Sequence, residues 1–318
     1  MEEKRLDQKK LLFVFNPRSG KGQIKSRLVD IIDLFVKNGY EVTAHPTQGA
    51  GDARSVVAER ARAYDLVVCS GGDGTLDETI SGMMRSKEQV PIGYIPAGST
   101  NDFAQTLRIP KDMRSAAEIA VNGKLFPCDV GLFNKYYFIY VAAFGLFTDV
   151  SYQTSQKLKN VLGHGAYVLE GAKRLSDIPS YRLRIEVDGR MIEDDFIYGM
   201  ITNATYVAGV KNMALKDTKL DDGLFEVSLI KYPTNPIQLN EILTNLMLPN
   251  LLDTEYVMHF KTDKIKISCL NGDLPWTLDG EFGGNHVEAM ITNIKQAISL
   301  RVRDRAEAKK RFSLPVIK

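Results

Sequence analysis

The first 130 residues alternate short apolar runs with segments whose apolar residues recur at helical spacing. The runs at residues 10–15, 65–70 and 90–95 predict buried strands. The pattern of residues 24–37 predicts a helix that ends at Asn38-Gly39. The other elements predicted for this half are a strand at 40–44 and helices at 52–64 and 76–84. Strands that alternate with helices favour a parallel sheet and therefore an α/β domain.

After about residue 125 the pattern changes to closely spaced strand candidates. A turn that begins at Asp188-Gly189 joins two of them and is a strong hairpin signal. The candidate strands are residues 124–133, 136–144, 181–187, 191–203, 224–231, 255–260, 264–268, 286–291 and 297–302. Two further segments are predicted as a helical or irregular crossover (148–175) and a helix (236–247). So many strands at close spacing predict an antiparallel β-sandwich.

Length and composition fit two globular domains. The 318 residues are 44% hydrophobic and 25% charged, which is ordinary for globular chains. Together with the change of pattern, this predicts an α/β domain with a parallel sheet over residues 1–130 and a β-sandwich domain over residues 131–302. The net charge of +2 argues against a globally basic chain that coats nucleic acid.

The sequence predicts neither a membrane span nor a secretion signal. The uncharged run from Tyr136 to Thr148 is shorter than the roughly 18–20 apolar residues that a spanning helix needs. The N-terminal MEEKRLDQKK lacks the apolar core of a signal peptide. Cys69, Cys128 and Cys269 have neither metal-site nor disulfide spacing. These features predict a soluble protein of a reducing compartment, the cytoplasm.

The motif GGDGT (residues 71–75) lies between a predicted buried strand and a predicted helix. Glycines let the backbone approach a ligand closely, and N–H groups at a helix N-terminus attract phosphate. In open α/β sheets, ligands bind at the carboxyl ends of the strands. Asp73 adds an oxygen ligand that suits Mg²⁺. A Gly-Gly pair alone would indicate a tight turn, but the flanking elements and the embedded acid favour a phosphate site.

Two other loops follow predicted strands. Residues 16–22 (NPRSGKG) supply a hydroxyl and basic groups, do not match the Walker A pattern, and fit a plain strand–helix turn equally well. Residues 96–103 (PAGSTNDF) supply two hydroxyls, an amide and a carboxylate, and also fit a helix N-cap. Because all three loops follow strands and are rich in glycine and hydroxyl groups, we expect them to form one pocket.

These loops resemble those of the diacylglycerol kinase catalytic-domain family, and the resemblance spans essentially the whole chain. The matching motifs are NPRSGKG, GGDGT, GSTNDFA and LDGE. The pattern is most similar to the bacterial soluble diacylglycerol kinases, which implies ATP and Mg²⁺ as cofactors. The resemblance implies nucleotide-binding roles for Asn16, Pro17, Arg18, Ser19, Gly20, Thr47, Gly71, Gly72, Asp73, Gly74, Thr75, Leu76, Asp77, Ser99 and Thr100.

The resemblance also implies the catalytic residues. Glu281, in the LDGE motif, matches the family's general base, and Asp73 and Asp102 match the acidic groups that hold Mg²⁺ and water near the transferred phosphate. Without the resemblance, Glu281 would be interpreted as an exposed hairpin acid. The implied active site lies in a cleft between the two domains. Asp77 stands where the family more often has Asn, which adds a negative charge near the nucleotide.

A structural Mg²⁺ site is implied at the Asp-Asp-Gly segment of residues 221–223. Taken alone, this segment indicates a turn before a strand. By the resemblance, the ligands are the Asp222 carboxylate and the main-chain carbonyls of Lys219 and Leu224. One carboxylate with carbonyls and waters is a reasonable set for Mg²⁺. Such a metal would order a loop away from the chemistry.

The resemblance implies ATP-dependent phosphorylation of a lipid alcohol, with diacylglycerol giving phosphatidate. Other alcohols stay open, namely a sphingoid base, phosphatidylglycerol or NAD, and so does a non-catalytic nucleotide- or lipid-binding regulator. The expected partner is a lipid substrate at a membrane surface, with peripheral membrane association and without nucleic acid. The oligomeric state is open, and a homodimer is one of the arrangements left.

The C-terminal residues and one apolar stretch give weaker signals. In the family the C-terminal segment returns to the first domain, so residues 303–318 are expected to pack on it. The basic residues within 301–318 fit a solvated helix better than a dedicated membrane element. Phe144, Leu146 and Phe147 are candidates for an acyl-chain site, although ordinary core packing is the favoured interpretation of each.

Overall fold

The computed structural model describes residues 8–146, 179–205, 218–235, 237–239, 241–242 and 254–304. Outside these residues lie Phe147, the predicted crossover, most of the predicted helix at 236–247, and the tail from residue 305. The chain divides into two compact units. Among the described residues, unit 1 holds 8–128 and 296–304, and unit 2 holds the part between 129 and 295. The functional role of each unit stays a prediction.

The elements with described bounds are five α-helices and fifteen strands. The helices are α1 (Ile24–Lys37), α2 (Asp52–Arg60, followed by a 3₁₀ turn at Ala61–Ala63), α3 (Asp73–Met83), α4 (Asp102–Thr106) and α5 (Met113–Asn122). The strands are β1 (Lys9–Phe15), β2 (Tyr40–Pro46), β3 (Leu66–Gly71), β4 (Ile92–Pro96), β5 (Lys124–Phe133), β6 (Tyr136–Phe138), β7 (Val141–Gly145), β8 (Tyr181–Val187), β9 (Arg190–Thr202), β10 (Phe225–Lys231), β11 (Val257–Thr262), β12 (Lys264–Cys269), β13 (Leu274–Leu278), β14 (Glu281–His286) and β15 (Glu288–Val302).

Unit 1 is built on a parallel sheet with the strand order β15–β4–β3–β1–β2, to which β15 contributes its C-terminal end. β3 and β4 are buried along their whole length, as strands are when both faces of a parallel sheet are covered. In the register, Phe15 lies beside Pro46 and Ser70, and Gly71 lies beside Pro96. The first four strands therefore end at one edge of the sheet.

The helices of unit 1 confirm part of the prediction. α1 has the predicted bounds, and its apolar face buries Ile31 and Phe35, with the Phe35 ring edge-on to Phe13 at 5.3 Å. α3 begins at Asp73, three residues before the predicted start, because the glycine-rich segment is already helical. α5 was not predicted, although Asp112 caps it by accepting a hydrogen bond from the Ser115 N–H group (2.8 Å).

Unit 2 is built on an antiparallel sheet with the order β14–β13–β7–β9–β8–β12–β15. β10 pairs with the long strand β9, and β11 pairs with β10. β8 has the predicted bounds, and the turn at Asp188-Gly189 joins β8 to β9, as the hairpin signal predicted. The antiparallel prediction for this half is thus confirmed.

Three details of the strand prediction were wrong. The candidate at 136–144 is two strands, β6 and β7, because the chain bends between Phe138 and Val141. Most of the candidate at 286–291 and the whole candidate at 297–302 belong to one strand, β15, in which Gln296 has a φ of 51°. The strands β13 and β14 were not among the predicted strands, although Glu281 was interpreted as a hairpin acid, since Pro275 and the glycines of β14 give little strand signal.

The core of unit 2 is centred on Trp276, whose side chain is only 1% exposed. Its ring packs edge-on against Phe133 and Phe144, with centroids 4.9 and 5.0 Å away. Phe138 stacks on Phe225 in the same cluster, at 5.5 Å. Phe144 therefore has the core-packing position that was favoured for it.

We expect Trp276→Ala to lower the free energy of unfolding by about 3–5 kcal/mol, because it leaves a large cavity between Phe133 and Phe144. Urea denaturation followed by far-UV circular dichroism measures this. The control is Met191→Ala at an exposed position of the same unit, which should change the free energy by less than about 0.5 kcal/mol. Equal effects of the two substitutions would contradict the assignment of Trp276 to the core.

Candidate active site

The three loops that were expected to share a pocket meet at the carboxyl edge of the unit 1 sheet. The Ser19 hydroxyl accepts a hydrogen bond from the Gly72 N–H group (2.9 Å), which joins the loop after β1 to the loop after β3. The Ala97 N–H group donates to the Gly71 carbonyl (2.8 Å), which joins the loop after β4 to the same place. The sheet order β4–β3–β1 makes these contacts possible, since the three strands are neighbours.

Two glycines allow the loops to touch backbone to backbone. Gly20 has a φ of +55°, and a Cβ atom there would lie 2.3 Å from the Ala97 carbonyl oxygen. A Cβ atom on Gly98 would lie 2.6 Å from the Gly72 Cα. Real Cβ atoms do not approach other atoms this closely, so any larger residue would push the loops apart.

Helix α3 starts directly from the central loop, and its N-cap, Gly72, supplies no side-chain cap. The N–H groups of the first helical turn have no acceptor within the helix. Together with the helix dipole, they form a site that favours an anion such as phosphate. The geometry fits the phosphate role implied for residues 71–75.

Asp73 and Asp102 come together in this site. The Asp73 carboxylate accepts hydrogen bonds from the N–H groups of Asp102 (3.1 Å) and Phe103 (3.3 Å), so it caps the short helix α4. Burial raises the pKa of Asp73 above its ordinary value, and the two backbone donors oppose part of that shift. Asp102 is itself 4% exposed. Carboxylates of this kind are the hard oxygen donors that Mg²⁺ prefers, so both residues could contribute to a metal site here.

Two residues that sequence reasoning did not assign hold the third loop in shape. Asn101 has a φ of +55°; its Oδ1 accepts from the Gly98 N–H group (2.9 Å), and its Nδ2 donates to the Gly98 carbonyl (2.7 Å). The Tyr94 hydroxyl lies 3.4 Å from the Asn101 Oδ1 and 3.2 Å from the Gly71 carbonyl, so it joins the third loop to the central one. Asn tolerates left-handed backbone better than most residues, which was the one signal in the sequence for Asn101.

The remaining predicted nucleotide residues lie on the same loops or beside them. Thr47 follows β2, and its N–H group donates to the Phe15 carbonyl (2.8 Å), which places it next to the loop after β1. Arg18, Ser99 and Thr100 are exposed. Others are half-buried or buried within the loops and the first turns of α3, namely Asn16, Pro17, Gly74, Thr75, Leu76 and Asp77.

Glu281 is the first residue of β14 in unit 2, and its side chain is exposed. The turn before it consists of Asp279 and Gly280, with φ values of 49° and 86°. Two successive positive φ values at an Asp-Gly pair are typical of a type I′ hairpin turn. The interpretation of Glu281 from the residues alone, an exposed hairpin acid, is therefore correct as a description of its position.

The predicted metal loop also lies in unit 2. The Asp222 Oδ1 accepts from the Leu224 N–H group (3.1 Å), and its Oδ2 lies 3.9 Å from the Lys261 Nζ. The buried Asp129 carboxylate accepts from the Gly223 N–H group (2.7 Å), which fixes the loop. No group of three or more His, Cys, Asp or Glu residues that could hold a metal occurs in the described ranges. The implied donors, one carboxylate and two carbonyls, suit Mg²⁺ only with water completing the set.

Two known families match the chain. Residues 10–133 match the family described as "Diacylglycerol kinase catalytic domain". Residues 141–300 match the family described as "YegS C-terminal NAD kinase beta sandwich-like domain". The second match agrees with the predicted sandwich class of the C-terminal half, and the first with the predicted α/β class of the N-terminal half.

Curated relatives match over most of the chain. A diacylglycerol kinase of Bacillus subtilis (strain 168) is 33% identical over 278 residues, which covers 87% of this chain and 91% of the relative. A diacylglycerol kinase of Staphylococcus aureus (strain bovine RF122 / ET3-1) is 35% identical over 295 residues, 92% of each chain. The fold is similar to that of a diacylglycerol kinase from Bacillus anthracis (strain Sterne), with a TM-score of 0.72, 22% identity, and coverage of 94% of this chain and 98% of that one.

The fold and the glycine-rich site define a kinase of the diacylglycerol kinase type. The chain belongs to the diacylglycerol kinase family, because its identity to curated members exceeds 30% over nearly the full length of both. This confirms the family and the enzyme class that the motifs indicated. Among the helices in the described part of the chain, none is long and apolar enough to span a membrane.

We expect Gly20→Ala to lower the free energy of unfolding by about 2–5 kcal/mol. A left-handed alanine costs about 1–2 kcal/mol, and the clash with the Ala97 carbonyl adds about 1–3 kcal/mol. Gly39→Ala is the matched control, because Gly39 also has a positive φ (+84°) but a Cβ there meets nothing within 4 Å. Urea denaturation of both variants measures the difference, and equal losses would contradict the tight contact.

Proposed function

We propose that this protein transfers the γ-phosphate of ATP to the hydroxyl group of diacylglycerol, giving phosphatidate and ADP. The observation that carries the proposal is the meeting of three loops at the uncapped N-terminus of α3, beside Asp73 and Asp102. Membership of the diacylglycerol kinase family supports the choice of substrate. In this proposal unit 1 binds the nucleotide and unit 2 supplies the lipid side of the site.

The chain would act mainly by positioning and by charge stabilisation, as phosphoryl transfer requires. The N–H groups of the α3 first turn and the loop containing Ser19 would orient the phosphates. Asp73 and Asp102 would hold Mg²⁺, which offsets the charge of the phosphates. Asp73 is the first residue of α3, and Asp102 is the first residue of α4.

Glu281 would act as the general base. Its carboxylate would take the proton of the lipid hydroxyl while the hydroxyl oxygen bonds to the γ-phosphorus, and the bond to the β–γ bridging oxygen breaks to release ADP. This step requires the exposed Glu281 carboxylate to reach the hydroxyl at the nucleotide phosphates. Because diacylglycerol resides in membranes, the reaction also requires peripheral contact with a lipid surface.

The experiment is transfer of labelled phosphate from ATP, with Mg²⁺, to mixed micelles that contain diacylglycerol, phosphatidylglycerol and sphingosine, with NAD as a soluble acceptor. We expect label in diacylglycerol alone. In Glu281→Ala, kcat should fall by about 10²–10⁴-fold, since the general base is lost. Glu255→Ala, at another exposed glutamate of unit 2, should keep the original kcat.

Each other outcome changes the proposal. Label in a different acceptor would change the substrate, and label in NAD would contradict a lipid kinase. Full activity in Glu281→Ala would contradict the role of Glu281 while leaving the substrate in place. ATP binding without any transfer would support the non-catalytic regulator that the sequence left open.

We also propose that Asp222, with the carbonyls of Lys219 and Leu224, binds Mg²⁺. Without nucleotide, Mg²⁺ at about 100 times its Kd should then stabilise the chain by about 2.7 kcal/mol, read as a rise in thermal midpoint. Asp222→Asn should remove most of this rise because it removes the one charged ligand. Asp273→Asn, at an exposed site of the same unit, should keep it. An undiminished rise in Asp222→Asn would contradict the site.

A further inference from the structure

The turn that carries Glu281 is fixed by the side chain of Asp279. Its Oδ2 accepts from the Ile139 N–H group (2.6 Å), and its Oδ1 accepts from the N–H groups of Tyr140 (3.0 Å) and Val141 (2.9 Å). Asp279 is 7% exposed. A buried carboxylate that receives three backbone donors makes charge-assisted hydrogen bonds, which are stronger and more directional than neutral ones.

Backbone contacts add to this anchor. The Asp279 N–H group donates to the Val141 carbonyl (2.8 Å), and the Tyr140 hydroxyl donates to the Asp279 carbonyl (3.0 Å). The Tyr140 carbonyl in turn accepts from the Thr202 hydroxyl (2.7 Å) and from the Asn203 N–H group (3.0 Å). The turn is thus tied to a segment that is itself fixed in the sheet of unit 2.

Glu281 has no comparable support of its own. Within the described residues, no hydrogen bond or ion pair holds its exposed carboxylate, so the place of that carboxylate depends on the backbone that carries it. Both residues before it have left-handed backbone, which is the usual conformation of an Asp-Gly type I′ turn.

We infer that Asp279 is a positioning residue for Glu281: by clamping the N–H groups of residues 139–141, it sets the position from which the base acts. The inference rests on the proposed role of Glu281. Asp279 would not touch the substrate or take a proton. Its effect would pass through the two-residue turn to the Glu281 backbone.

The test is Asp279→Asn, which keeps the size of the side chain but replaces one acceptor oxygen with an NH₂ group. We expect kcat to fall about 100-fold with an unchanged KM for ATP, because a misplacement of about 1 Å has an effect of that order. Backbone amide hydrogen exchange at residues 139–141 should become faster, which reports the lost contacts without any turnover.

A double-variant cycle separates positioning from general damage. If Asp279 acts through Glu281, adding Asp279→Asn to Glu281→Ala should lower the remaining kcat by less than about twofold, because the base is already absent. The control is Asp188→Asn. Asp188 lies in another Asp-Gly turn of the same unit, with φ values of 48° and 71°, and its carboxylate accepts a hydrogen bond from the Thr262 hydroxyl (3.0 Å). It should leave kcat unchanged.

Three outcomes would overturn the inference. If Glu281→Ala is inactive but Asp279→Asn keeps its kcat, Glu281 would stay the proposed base and Asp279 would have no positioning role. A full further loss in the double variant would show that Asp279 acts independently of Glu281. Activity retained in Glu281→Ala would remove both the base and the residue proposed to position it.

Discussion

The site depends on one constraint, the contact of three loops backbone to backbone at the edge of a parallel sheet. No Cβ fits at Gly20 beside the Ala97 carbonyl or at Gly98 beside Gly72. The contact is possible because β1, β3 and β4 are neighbours and end at the same level. Since the loops brace one another, they fix the start of α3, the helix end whose dipole favours an anion. Phosphate binding in this family member would follow from that packing more than from any single side chain.

Buried and half-buried carboxylates serve the architecture in both units. Asp73 caps α4, Asp129 holds the loop at Gly223, and Asp279 clamps the segment before β7; each accepts hydrogen bonds from backbone N–H groups. A carboxylate buried in this way offsets its loss of hydration with several donors and gains a fixed orientation. Glu281 differs from all three in that its side chain is exposed.

The sequence predicted regular elements well where burial is uniform or periodic. α1 and β8 have their predicted bounds, since their apolar positions follow one period throughout. It missed α5, whose buried residues also have helical spacing, so that signal was available. It did not predict β13 and β14 as strands, because a proline and several glycines weaken their strand signal and long-range contacts around Trp276 stabilise them.

For this protein, the sequence by itself determined the family, the two fold classes and the loops that carry the motifs. Glycines, hydroxyls and acids at strand ends can be recognised from the sequence alone, and the chemistry of these groups limits the ligands that they can bind. Only the tertiary structure decided which groups meet: that Asp73 caps α4, that the Tyr94 hydroxyl reaches the Gly71 carbonyl, and that Asp279 holds the turn before Glu281. Those partners are separated in the chain by up to 140 residues. No local pattern records such pairings, because they arise from the register of the strands.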